Sequence, residues 1–466
     1  MKKLGIVIAD GVGYRNFVMS DFLKESKLQF DKIVIYSGLL KSVYTAKDLV
    51  GVEFRELDIY HESKTSWFYR KLKEVAHLQH HKGYFGIKCS LDNGNPKTVR
   101  TNRAKLTKLI YLLAKFLNSE KWIKKFEKLQ YQSFKKENCY KTYLEYFKED
   151  RPTHLFFTHQ RPANLAPVLG AAKDCSIKTS SFIFSWDNLA SKGRMLGAFD
   201  SFLVWSSLMK DELKYFYPQT NPNKIHIIGT PQFEPYVLER YFKEKKYFYS
   251  RFGLEEFKKT IYYSCGDVST SKSDPLYIDT IAKFIANNQI EEQVNFIVRT
   301  SPAEDGSRFL ESKKQYPFIK WNFPKWNLTR ENHTEVWSQR VPEFEDLCDL
   351  RALLMYADVN INMCSTMSLD FMIFNKPVIN AVFGNEVNGL YNDQKYLNYT
   401  HYKSVAESGS VNVALSEAEL LDAINDSLKN PLKFEKQRKE ILNLEIGKPL
   451  KDTSKRIVKA LIELSE

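Results

Sequence analysis

The sequence predicts an α/β protein built from two doubly wound parallel sheets, and three observations carry that expectation. Short β-branched and apolar runs alternate with helical periodicities along most of the chain. At 466 residues the chain is too long for one core, so two domains are expected. The stretch from Tyr356 to Phe383, YADVNINMCSTMSLDFMIFNKPVINAVF, reads as a helix end, a buried strand, a Ser/Thr-bearing turn, a short helix and a second buried strand.

The elements follow in order. Residues 4–9, LGIVIA, form the first strand, because Asp10 ends the apolar run too early for a signal peptide. A helix over 16–27 and a strand over 32–36 come next. Residues 45–94 are charged and poorly patterned and lead into a basic helical stretch, so 45–150 reads as a variable helical insertion. Strands over 154–158, 179–184, 202–205 and 224–228, with helices over 163–174 and 207–217, complete a first domain over 1–235. Residues 236–258 carry no buried strand and read as a connection. A second domain over 259–446 has strands over 261–264, 294–299, 359–362 and 378–382. Its helices cover 275–287, 346–355 and 418–428. The segment 447–466 holds a last helix over 454–464, capped by Asp452 or Thr453 and expected to pack back on the first domain.

Composition narrows the function classes. No run of about 18 apolar residues exists, so no membrane-spanning helix is expected. The six cysteines are scattered without a C-x-x-C pair, which fits free thiols in a reducing cytoplasm. His77, His80 and His81 lack a matching carboxylate cluster in sequence, so no metal ligand set is expected. The net charge of +13 points to an anionic partner. Between Lys97 and Lys148, 14 Lys/Arg face 4 acids and interleave with aromatic and aliphatic residues at helical spacing. That region reads either as a helical arm for an anionic membrane surface or as the solvated face of packed helices. The chain has no Walker loop, no dinucleotide glycine fingerprint, no Gly-x-Ser-x-Gly elbow and no Asp-x-Asp pair. No nucleic-acid motif accompanies the charge.

Several residues stand where chemistry is placed in such folds. Ser365 and Thr366 open a helix beyond a parallel strand, so their amides and hydroxyls could hold an anion; a plain crossover with an N-cap is the alternative. Asp370, one turn on, could reach a ribose hydroxyl. Asp10 leads into Gly11-Val12-Gly13, which puts a carboxylate on a tight loop and makes it a candidate base, or simply a turn. Asp187, in Ser185-Trp186-Asp187-Asn188, is the rival base. Trp186 beside it either stacks on a sugar or packs under the loop. Lys192 and His159 are further candidates on the same side.

Ordered blocks of the chain resemble glycosyltransferases of the GT-B fold, in particular those of bacterial surface-polysaccharide assembly. The blocks are FIFSWDNLASKGRM (182–195), FDSFLVWSSLMKDEL (199–213), KIHIIGTPQFEPY (224–236), TIYYSCGD (260–267), FIVRTSPAED (296–305), the stretch from Tyr356 to Phe383, and HYKSVAESGSVNVALSEAELLDAI (401–424). The resemblance implies two Rossmann-like domains facing across a cleft, with a UDP-linked nucleotide-sugar held by the second. Arg299, Gly266, Ser365, Thr366 and Asp370 would then bind the donor without metal. Gly11, Gly13, His159, Trp186, Asn188 and Lys192 would line the acceptor side, with Asp10 or Asp187 as base. Two departures stand out: Ser301 precedes Pro302 where such enzymes usually carry His, and Asp370 stands where Glu is common.

The expectation is therefore a cytoplasmic, metal-independent glycosyltransferase, peripheral at the inner face of the plasma membrane. It would move a sugar from a nucleotide-sugar to a lipid-linked or surface-glycan acceptor. The same fold also hosts nucleotide-sugar epimerases and glycerophosphate transferases. A non-catalytic polyanion-binding protein is the reading from another class.

Overall fold

The computed structural model describes residues 2–465. The chain divides into two compact units. The first takes the residues up to Glu234, Leu328–Val341 and those from Glu445 onward; the second takes Pro235–Asn327 and Pro342–Leu444. Among the described residues no helix is long and apolar enough to cross a membrane.

The first unit is a seven-stranded sheet of β1 (Lys3–Ile8), β2 (Lys32–Ser37), β3 (Glu53–Glu56), β4 (His154–Phe157), β5 (Lys178–Phe182), β6 (Ser201–Val204) and β7 (Ile225–Ile227). Their order is β3-β2-β1-β4-β5-β6-β7, and the neighbours pair in parallel. β1 and β2 read as near-continuous apolar runs because helices cover both faces of a parallel sheet, and five of six residues in each are buried. β3 lies at the edge and is half exposed, which is why the charged sequence Glu-Phe-Arg-Glu gave no strand signal. The chain winds one way from β1 to β3 and the other way from β4 to β7. The topological switch point therefore lies between the carboxyl ends of β1 and β4.

Five helices separate β3 from β4: Lys64–His80, Phe85–Gly94, Asn102–Phe116, Glu120–Phe134 and Asn138–Asp150. Each buries an apolar stripe, such as Leu72, Val75 and Ala76 on the first and Ile123, Phe126 and Phe134 on the fourth. The helix Thr453–Ser465 buries Ile457, Val458, Leu461 and Leu464. Its start is tied down where Glu234 accepts from the Ser454 amide at 2.9 Å and from the Ser454 hydroxyl.

The second unit is a six-stranded parallel sheet of β8 (Lys259–Ser264), β9 (Val294–Arg299), β10 (Lys320–Asn322), β13 (Val359–Asn362), β14 (Val378–Ala381) and β15 (Asn412–Ala414). The order is β10-β9-β8-β13-β14-β15, so its switch point lies between β8 and β13. The short pair β11 (Trp326–Leu328) and β12 (Arg340–Pro342) stands apart from both sheets. Ile261, Tyr277, Ile281, Phe296, Ile361 and Ile379 form the centre of the core. Within residues 236–258, read from sequence as a connection, the helix Lys245–Phe252 belongs to this unit. It packs on the helix Phe344–Tyr356, with Arg251 paired to Asp349 at 2.7 Å and the Phe248 ring against Tyr356.

Candidate functional site

At the switch point of the first unit, β1 delivers Asp10 and β4 delivers His159. Asp10 is 1% exposed and uses both oxygens. Oδ1 accepts from the Gly13 amide at 2.7 Å and caps the helix Gly11–Phe17. Oδ2 lies 2.9 Å from His159 Nδ1. The His159 ring stacks on Phe184 with centroids 3.9 Å apart and planes 13° apart. Its Nε2 is buried and has no hydrogen-bond partner among the described residues. A carboxylate that fixes one nitrogen and leaves the other available is the arrangement of a proton-transfer pair.

A second cluster lies beside it at the end of β5. Gln160 Nε2 donates to Asn188 Oδ1 at 2.9 Å, and its Oε1 accepts from the Phe184 amide at 3.1 Å. Asn188 Nδ2 donates to Asp187 Oδ1 at 2.9 Å, and Lys192 Nζ stands 3.4 Å from Asp187 Oδ2. Phe184 is common to both clusters, stacking on His159 and donating its amide to Gln160. Trp186 is 4% exposed and packs under the loop rather than offering a ring face. The glycines act as backbone, not as acceptor contacts. A Cβ at Gly11 would stand 1.7 Å from the Arg340 carbonyl oxygen, and the Gly13 amide is spent on Asp10.

In the second unit the structure corrects most of the expected donor contacts. Arg299 is buried, paired through Nη2 with Asp346 Oδ2 at 2.8 Å and bonded to Asn322, so its guanidinium holds the fold rather than a phosphate. The Gly266 amide donates to Asp274 at 3.0 Å, which closes its loop; a Cβ there would meet Ser271 Oγ at 2.1 Å. The Ser365 amide donates to Asn362 Oδ1 at 2.9 Å, and Ser365 Oγ accepts from the Met367 amide at 3.2 Å. Thr366 precedes a helix of only six residues, Met367–Met372, whose first amides are bonded within the turn. Asp370 is 3% exposed and accepts the Tyr236 hydroxyl, so it is held inside the protein rather than open to a ribose.

Sequence reasoning missed two features here. One is a ladder of buried asparagines. Asn362 Nδ2 donates to Asn360 Oδ1 at 2.8 Å, Asn380 Nδ2 donates to Asn362 Oδ1 at 3.2 Å, and Tyr402 donates to Asn380 at 2.9 Å. Asn362 also takes the Ser365 amide, so the ladder sets the loop that leaves β13. Asparagine at alternate positions of an otherwise apolar strand was the available signal. The other feature joins the loops that leave β8 and β14. Lys395 Nζ donates to the Tyr391 hydroxyl at 3.0 Å, Tyr396 lies 3.0 Å from the same hydroxyl, and Lys272 Nζ stands 4.9 Å from the Tyr391 ring centre. Burial pushes the Tyr391 phenol up. Hydrogen bonds from Tyr396 and Lys395 and the charges of Lys395 and Lys272 outweigh it and lower the phenol below its usual value. Two lysines at the carboxyl end of a parallel sheet form an electropositive spot suited to phosphate.

No protein-family model matches the chain, and no curated protein matches its sequence. Solved structures share its fold. UDP-GlcNAc 2-epimerase from Neisseria meningitidis, bound to UDP-GlcNAc, aligns at TM-score 0.54 and 10% identity, covering 99% of this chain and 100% of its own. MnaA of S. aureus with UDP aligns at 0.55 and 10% identity, covering 100% and 98%. A putative UDP-N-acetylglucosamine 2-epimerase from Listeria monocytogenes aligns at 0.54 and 9% identity, covering 99% and 96%. The expectation of sugar transfer to a lipid-linked or surface-glycan acceptor is corrected, since neighbours matched over nearly their whole length are UDP-GlcNAc 2-epimerases. What the chain has in common with them is a GT-B-like architecture of two Rossmann-like domains.

Proposed function

We propose that the protein is a nucleotide-sugar epimerase whose substrate is a UDP-linked amino sugar. One observation carries this reading: the buried Asp10–His159 pair, with Nε2 unpartnered, at the switch point of the first sheet. Epimerisation inverts a carbon that bears hydrogen, so one group must take a proton and another must return one to the opposite face. His159, oriented by Asp10, is assigned the first task, and Asp187, held by Asn188, the second. Neither requires a metal. Within the second unit, Lys272 and Lys395 beside Tyr391 offer positive charge that suits the phosphates of a nucleotide. The fold shared with UDP-GlcNAc 2-epimerases supports the choice of substrate class.

The test is proton exchange. Incubated with UDP-GlcNAc in D2O, the protein is expected to place deuterium at C2 and to form the 2-epimer, both followed by NMR. His159→Gln and Asp10→Asn are expected to slow exchange by about 10²–10⁴-fold. Absence of deuterium wash-in across a panel of UDP-sugars would sink the proposal. Exchange that survives in both variants would move the chemistry elsewhere.

A second reading concerns where the protein works. On the helix Asn102–Phe116, Leu109, Leu112 and Phe116 are 46%, 53% and 78% exposed. Lys105 and Lys115 on the same helix and Lys121, Lys124 and Lys125 beyond it are also exposed. Apolar side chains ringed by lysine support peripheral attachment to an anionic membrane surface.

A further inference from the structure

His77 lies in the last turn of the helix Lys64–His80 and His81 is its C-cap, one turn apart on one face. His77 is fully buried and His81 nearly so. Both ring nitrogens of His77, and Nε2 of His81, have no hydrogen-bond partner among the described residues. Buried polar atoms are seldom left this way, and each such case calls for an explanation. The carboxylate that the sequence did not offer comes from another helix. Glu120, at the start of Glu120–Phe134, brings an oxygen to the two imidazoles, and the three ligand atoms lie within 4.8 Å of one another.

We propose that His77, His81 and Glu120 form a site for a divalent transition metal of the zinc type. Two imidazoles and one carboxylate are the donor set that zinc takes, whereas magnesium and calcium require mostly oxygen. The surroundings fit an outer shell. Arg194 holds the two Glu120 oxygens at 2.7 and 3.1 Å, which fixes the carboxylate's orientation, and lies 4.3 Å from the Tyr217 ring centre. Tyr217 stacks on His77 at 5.5 Å, and Phe216 meets His81 edge-on at 5.0 Å. The Arg194 charge also sets a limit. A cation beside the carboxylate weakens metal binding, so the site holds zinc less tightly than one without it.

The metal's role would be to fasten the insertion to the site-bearing loop. Arg194 belongs to the segment that follows Asp187 and Lys192. Lys73 Nζ donates to the Leu196 carbonyl at 2.7 Å, and the Ala198 amide donates to Glu127 at 3.0 Å. A metal between the helices Lys64–His80 and Glu120–Phe134 would therefore brace the loop that carries Asp187.

The experiment uses the full chain stripped with chelator. Titration with Zn2+ is expected to load one equivalent per chain and raise Tm. Co2+ is expected to give visible absorption bands characteristic of ligation by protein, and Mg2+ to do neither. His81→Gln and Glu120→Gln are expected to weaken Zn2+ binding by 10-fold or more, with circular dichroism confirming that each is folded. His80→Gln, at the exposed neighbour, is expected to bind as wild type. The proposal is overturned if Zn2+ at about 100 μM, well above typical site affinities, neither binds nor shifts Tm. It is equally overturned if folded His81→Gln and Glu120→Gln bind Zn2+ as wild type does, since the metal then sits elsewhere.

Discussion

Arg299 and Asp346 form a buried pair in which Asp346 also accepts from the Lys325 amide at 2.9 Å and the Trp326 indole at 3.0 Å. Removing the arginine leaves a buried carboxylate without its countercharge, a loss of about 3–5 kcal/mol. Arg299→Ala is therefore expected to lower the urea midpoint substantially. Lys395→Ala, on a half-buried side chain, is expected to change stability by about 0.5 kcal/mol or less while weakening UDP binding roughly tenfold. A wild-type midpoint for Arg299→Ala would remove the structural assignment. Residue identity alone did not separate these roles: an arginine at the end of a strand suits a phosphate as well as a carboxylate. The partner decides, and Asp346 stands 47 positions away. At Asp10 the sequence left a base and a turn residue open, and its bond to His159 spans 149 positions and leaves no local trace.

The elements of the two sheets were legible wherever strands were buried on both faces. β1, β2 and β4 carry near-continuous apolar runs, and β13 and β14 keep Val and Ile around their buried asparagines. The edge strands β3, β10 and β15 were missed because they are only 4, 3 and 3 residues long and partly exposed, too short for a periodicity to show. The helix Lys64–His80 was hidden by charges spread among its apolar positions, yet it anchors the insertion. At the helix Asn102–Phe116 the sequence left open whether the lysines bind lipid or merely face water, and Leu112 and Phe116 are exposed there. The double substitution Leu112→Lys and Phe116→Lys tests this, because it adds charge while deleting apolar area. If the apolar stripe inserts, sedimentation with anionic vesicles is expected to fall several-fold at low salt, each lost leucine- or phenylalanine-sized contact being worth about 1.5–3 kcal/mol. Unchanged or stronger sedimentation would mean that charge alone accounts for any attachment.

At the scale of the molecule, the chain leaves the first unit at Glu234, returns over Leu328–Val341, and returns again at Glu445. The excursion over Leu328–Val341 was invisible in the sequence, since it is short and without regular periodicity. It nevertheless places the Arg340 carbonyl against Gly11. The last return brings Glu445 near Glu212 on the helix Ser207–Phe216. Burial, and then the charges of Glu445 and Asp187, push the Glu212 carboxyl up to about 8. A raised acid contributes stability that is fully present below its ordinary value near 4.5 and is lost as pH rises through about 8. Glu212→Gln removes that loss. The variant is expected to exceed wild type by about 1–2 kcal/mol at pH 9, a part of the full shift because the side chain is half-buried. The gap is expected to close below pH 4.5. Parallel denaturation curves at both pH values check it, and a gap that is constant with pH would reject a raised Glu212.

The two bonds of Asp10 have one more consequence, for the polarity of the His159 ring. A carboxylate only accepts, so His159 Nδ1 must carry the hydrogen toward it, and the buried Nε2 keeps a lone pair. In Asp10→Asn the oxygen must stay with the Gly13 amide, which turns the new NH2 group toward Nδ1. The imidazole then flips to the other tautomer and presents N–H at Nε2. A substitution of nearly equal shape would convert a buried proton acceptor into a donor while the ring itself stays in place.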